Sequence, residues 1–151
     1  MSVVYSEAGP KDVTRNGHFM ETQAWLDSDN GHIEAITHTW TTNWVFGFTG
    51  SVGMVFLGED RRPLGHHSEA QWPLGVDARG VFWHPSSRTD AWSLDIDSGL
   101  AQSVREMLII HSHHEKNRLN DILSEISGYE KSITQFCVDN PETCIAIGGL
   151  F

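Results

Sequence analysis

Cysteine is nearly absent from this chain of 151 residues: Cys137 and Cys144 are the only two. A chain of this length can bury a core without staples, so a disulfide framework is excluded. The pair also lacks the Cys-x-x-Cys spacing of redox and zinc motifs. A bridge across the expected helix end at Asp139-Asn140-Pro141 is geometrically possible, but a reduced, buried pair is the expectation for a cytoplasmic protein. Basic residues are scarce, 10 Lys and Arg against 20 Asp and Glu, for a net charge of −10. That field repels nucleic acid and anionic lipid and suits a basic partner. No apolar run reaches the roughly eighteen residues that a membrane helix needs, so no membrane partner is expected. Residues Met1 to Asp12 carry neither the basic nor the apolar region of a secretory leader, which makes the cytoplasm the expected setting.

Catalytic signatures are missing too. No Gly-x-Ser-x-Gly elbow occurs, and Gly50-Ser51-Val52-Gly53 does not supply one. The glycines of 47–53 lack the spacing and following helix of a phosphate loop or dinucleotide fingerprint, so no cofactor is expected. Asp95 and Asp97 stand two apart without a calcium-loop pattern.

What remains is a chain rich in Trp, Gly, Thr and His, read as one domain. Residues 1–16 are expected as an irregular arm broken at Gly9-Pro10, 17–113 as a β-rich body, 115–139 as an amphipathic helix and 140–151 as an apolar tail. Strands are expected at His18–Leu26 and His32–Thr41, joined through Asp27-Ser28-Asp29-Asn30-Gly31 by a type I′ hairpin turn at Asn-Gly. Trp44–Leu57 is too apolar for an exposed strand; its glycines fit a long buried strand with bulges, a hairpin near Thr49-Gly50-Ser51, or close approach of the backbone to a ligand. Further strands fit Leu64–Trp72, Gly80–His84, Ala91–Ile96 and Arg105–His111, with a helical turn after Asp97-Ser98-Gly99. From Glu115 the period changes. Leu119, Ile122, Ile126, Tyr129, Ile133 and Phe136 form an a/d stripe that stops at Asn140-Pro141. The stripe either covers one sheet face or joins two copies in a homodimer. The fold expected is mainly β: an antiparallel β-sandwich or open β-barrel with one long C-terminal amphipathic helix packed on it.

Histidine is the chemistry-bearing residue in excess, nine in all. His111 and His113, two apart on a strand, would point the same way. Ile110-His111-Ser112-His113 resembles the His-Ser-His core of the JAMM metalloproteases. Asp121 and Ser124, however, stand in the reverse of that family's Ser and ligand-Asp order. Cupin and metallo-β-lactamase spacings fail as well, since Asn117, Arg118 and Lys116 stand where ligands should be, so no metal site is assigned.

The candidate acid/base residues are therefore His38, His84, His111 and His113, with Trp40, Trp44 and Trp83 as walls for a small-molecule ligand. Three functions fit this inventory. The first is a cofactor-independent enzyme of the cyclase, isomerase or lyase type. The second is a non-catalytic module for a carbohydrate or other small ligand, which exposed tryptophans on one face would favour. The third is an acidic, immunity-type protein that captures a basic partner.

Overall fold

Two ten-residue segments, β2 (His18–Asp27) and β3 (His32–Thr41), alternate buried and accessible side chains with the period of a half-buried strand. The computed structural model, which describes residues 2–13, 17–43, 48–76, 87–112 and 116–146, pairs them as the expected hairpin. Its turn differs from type I′. Only Gly31 has positive φ (+80°), and its N–H closes a longer turn onto the Asp27 carbonyl at 2.8 Å. Asn30 instead accepts the His32 N–H through its side chain. A four-residue loop therefore needs one left-handed residue rather than two.

Within 1–16, expected as an irregular arm, residues 3–12 instead form a strand. β1 (Val3–Asp12) pairs antiparallel with β2, and β6 (Ser87–Asp95) pairs with β3, giving a sheet in the order β1-β2-β3-β6. The second sheet, in the order β5-β4-β7, is built from β4 (Phe48–Leu57), β5 (Pro63–Val76) and β7 (Glu106–Ser112). The stretch beginning at Trp44 therefore holds one long central strand, and its irregularities fall on the β5 side. Between β4 and β5 lies a 3-10 turn, Glu59–Arg61, and between β6 and β7 a short helix, α1 (Ser98–Ser103), capped by the Asp97 side chain. The described residues are mainly β, in two antiparallel sheets, with no closed barrel.

Alternation on each strand decides what the layers bury. Met20, Ala24, Leu26, Ile33, Ala35 and Trp92 from the first sheet meet Val52, Met54, Phe56, Met107 and Ile109 from the second. The opposite faces of β4 and β7 offer Val55, Leu57, Leu108 and Ile110 to a helical layer. That layer is not one long helix. It consists of α2 (Lys116–Ser127), α3 (Ile133–Asp139) and α4 (Pro141–Ala146). The break follows from local chemistry: helix propensity falls at Gly128, and Ser132 starts a new helix by accepting the Gln135 N–H at 3.2 Å. Ile122, Ile126, Ile133 and Phe136 still lie on one sheet face, so the heptad spacing survives the break. A dimer through these side chains would have to displace the chain's own sheet.

Two close approaches fix this layer. A Cβ on Gly53 would lie 2.5 Å from the Leu123 Cδ1, so glycine lets α2 sit directly on β4. Cys137 and Cys144 are bridged, contrary to the expectation of a reduced pair, with Cα atoms 5.6 Å apart. The turn at Asn140-Pro141 brings α3 and α4 within the span a disulfide requires.

Candidate functional site

β1 and β7 are both edge strands and lie against each other along one side of the sandwich. Between them runs a cleft of about 450 Å³, lined by residues 5–9 with Lys11, by 106–111, and by Arg61. Consecutive residues of both strands line it, although neighbouring side chains point to opposite faces, so the strand edges themselves form its walls.

A bulge builds the chemistry of this cleft. Up to Ala8, β1 faces the core with Val4, Ser6 and Ala8, opposite Leu26, Ala24 and Thr22. Between Ala8 and Lys11 the partner strand advances two residues, Thr22 to Met20, while β1 advances three. The extra residue shifts the alternation by one. Lys11 therefore stands opposite the fully buried Met20 and on the inner face, whereas unbroken alternation from Tyr5 and Glu7 would turn it outward. Gly9 makes this possible. Its φ is +87°, and a Cβ there would come within 2.4 Å of the Met20 carbonyl oxygen. Across the cleft, the Met107 N–H donates to the Ser6 Oγ at 2.9 Å and ties the two strands together.

His111 is the buried titratable group of the wall, only 7% exposed. Its Nε2 lies 2.7 Å from the Thr22 Oγ1, which lies 2.9 Å from the Thr37 Oγ1, and the Trp92 Nε1–H donates to Thr37 at 3.0 Å. This chain crosses from β6 through β3 and β2 to β7. Trp92 can only donate. If each hydroxyl then accepts once and donates once, the order is Trp92 to Thr37 to Thr22 to His111 Nε2. In that order Nε2 accepts, and the neutral imidazole carries its proton on Nδ1. Burial, and secondarily the Lys11 ammonium, push the His111 pKa down to about 4, so the ring is neutral at pH 7. Burial also lowers the Lys11 pKa. Next to this chain, the Thr39 Oγ1 is buried without a hydrogen-bond partner.

The far end of the cleft is closed by an ion pair. Arg61 donates to both carboxylate oxygens of Glu106, at 3.1 and 3.2 Å. Asp60 and Arg61 both take left-handed backbone, with φ of 57° and 56°. Such a conformation costs a non-glycine residue about 1 kcal/mol and is held here by the pair and its turn.

His38 and Trp40 lie elsewhere. They alternate with the buried Thr37, Thr39 and Thr41 and so occupy the outer face of the first sheet. There the rings of His38 and Trp40 stack with centroids 4.4 Å apart, Phe19 stacks on Trp40 at 5.4 Å, and His38 pairs with Glu21 at 3.5 Å. Trp25 and Tyr5 form a second aromatic contact on the same face. The sheet thus separates His38 and Trp40 from His111. His84, His113, Trp44 and Trp83 fall outside the described residues. Among the described residues no group of three His, Cys, Asp or Glu side chains could hold a metal ion.

Lys11, Ser6 and Thr22 were not among the residues singled out from the sequence. The alternation of Val4, Ser6 and Ala8 was the available signal for β1. Nothing in the sequence announces the inward turn of Lys11, because Gly9-Pro10 reads as a break rather than a bulge. No protein-family model, curated protein or solved structure matches the chain.

Proposed function

We propose that this chain is a small-molecule-binding β-domain whose ligand occupies the cleft between β1 and β7, and that it acts there as a cofactor-independent enzyme of the cyclase, isomerase or lyase type. One observation carries the reading: a neutral imidazole, His111, is buried in the wall of a cleft of about 450 Å³ beside an inward-facing cation, Lys11. Perturbed titratable groups converging on a pocket are the usual mark of a site. In this reading His111 Nδ1–H donates to a substrate carbonyl oxygen. The Lys11 ammonium stabilises the negative charge that develops on that oxygen, in a setting where water screens it little. In the relay order given above, Thr22 donates to Nε2 and the proton stays on Nδ1, the nitrogen that this reading assigns to the substrate.

A screen of small carbonyl compounds, followed by amide chemical shifts, tests the proposal. Saturable shifts confined to residues 5–11 and 106–111, lost in His111→Gln, are expected. Ligands that shift only the outer face of the first sheet would refute it.

That face supports the second reading, a carbohydrate-binding module. Trp25 and Trp40 are half-buried there rather than enclosed, with Glu21 and Glu34 nearby as acceptors for sugar hydroxyls. Tryptophan fluorescence titrated with oligosaccharides, in the native chain and in Trp40→Ala, separates the two readings. As for the compartment, no helix among the described residues is long and apolar enough to cross a membrane. The Cys137–Cys144 bridge favours an oxidising compartment over the cytoplasm.

A further inference from the structure

We infer that the outer face of the first sheet is a docking surface for an arginine-rich polypeptide segment. The inference is independent of the cleft between β1 and β7, and it gives this face a different occupant from the carbohydrate of the second reading. The helical layer packs on the second sheet. Outward positions of the first keep large apolar side chains accessible: Val3 is 54% exposed, Tyr5 46% and Ile36 41%. Tyr5 stands in register with Trp25, and Ile36 with Gln23, two residues before Trp25, so these side chains belong to one patch. Apolar side chains gathered on one face in this way mark an interaction surface. Valine and isoleucine give nothing to a sugar hydroxyl, whereas they suit the side chains of a polypeptide.

The charge of the face has one sign. Glu7, Glu21, Asp27, Glu34 and Asp95 take outward positions. The four strands hold one lysine and one arginine, Lys11 and Arg88, and these stand in register with the buried Met20 and Thr39, on the inner face. His32 meets Glu34 and Asp95, and His38 meets Glu21, but even with both imidazoles protonated the carboxylates outnumber them. The complement of this face is therefore cationic. Register decides which cation. Glu7 lies two residues along β1 from Tyr5, Glu21 lies two along β2 from Phe19, and Glu34 stands opposite Trp25. Each of these carboxylates thus has an aromatic ring beside it. A guanidinium can stack on a ring while its planar fork binds a carboxylate, whereas an ammonium is a hydrated point charge. Four strands about 4.8 Å apart, rising about 3.3 Å per residue, give a face on the order of 400 Å². A standard interface buries about 800 Å² per partner, so this one fits a segment rather than a folded domain.

Hexa-arginine and hexa-lysine with blocked ends, each titrated into the ¹⁵N-labelled full chain, make the test. Hexa-arginine is expected to give saturable shifts at the amides of residues 3–7, 19–25 and 34–40, and to bind at least fivefold more tightly than hexa-lysine. Glu21→Gln/Glu34→Gln should weaken it at least tenfold. Glu125→Gln/Glu130→Gln makes the same change of net charge at exposed positions of the helical layer and should alter affinity less than twofold. Ile36→Lys, which removes no carboxylate, should also weaken binding tenfold and guards against a mere loss of the histidine contacts. Equal weakening by the two double variants would overturn the docking surface and reduce the effect to net charge. Equal affinity of the two peptides would overturn the choice of arginine. Shifts at this face with neutral oligosaccharides but not with hexa-arginine would overturn the inference in favour of the carbohydrate reading.

Discussion

Lys11 and His111 share one cleft although they stand 100 positions apart in sequence, and the ammonium of the first helps to keep the imidazole of the second neutral. Each depends on a different device. A bulge at Gly9-Pro10 turns Lys11 inward, and a row of hydroxyls fixes the ring of His111.

Stability should fall with acid because of His111. Its pKa drops from an ordinary 6.5 to about 4 on folding, so between these values the unfolded chain binds the proton that the folded one refuses. The stabilisation is complete above pH 6.5 and is lost on acidification at up to about 1.4 kcal/mol per pH unit. Urea unfolding of the native chain and His111→Gln, compared from pH 7.5 to 4.5, checks this: the variant's curve should be flatter. His32 acts with the opposite sign, since Glu34 and then Asp95 hold its protonated form and raise its pKa. Its contribution is present at acid pH and lost as pH rises through the folded value. His32→Asn in the same series separates the two.

The relay makes a claim about tautomers. In nitrogen spectra of His111, Nδ1 should carry the proton at neutral pH. Thr22→Val leaves Nε2 without its donor and should cost about 1–3 kcal/mol. Finding Nε2 protonated in the native chain would reverse the assigned direction of the relay.

Gly9→Ala should destabilise the chain by about 1–3 kcal/mol, because φ is +87° and the new methyl would meet the Met20 carbonyl oxygen. Gly65→Ala is the control. Its Cβ would come no nearer than 3.7 Å to Leu100, so its midpoint of denaturation should hardly move. Gly9→Ala should also perturb Lys11, which the amide shifts of residues 5–11 would report.

Reduction should loosen the helical layer. The Cys137–Cys144 bridge closes a loop with a sequence separation of 7, for which chain entropy gives about 2–3 kcal/mol. Differential scanning calorimetry with and without dithiothreitol should show a lower Tm on reduction, and Cys137→Ala/Cys144→Ala should match the reduced protein under both conditions.

The hairpin of β2 and β3, the strand nature of β4 and β7 and the apolar stripe of the helical layer were legible in the residues themselves, because alternation and heptad spacing are local. Phe136 and Ile122 reach the same sheet face whether or not the helix between them is continuous, so the stripe hid the break at Gly128 and Ser132. The inward turn of Lys11, the separation of His38 from His111 by a sheet, and the pairing of Cys137 with Cys144 were decided by tertiary structure alone. A bulge changes which face every later residue of a strand presents, and only the register against a partner strand reveals it. Residue types thus determined that a β-rich chain would hold an excess of imidazole and indole. Strand pairing decided that His111 would meet a lysine in a cleft, while His38 and Trp40 face solvent.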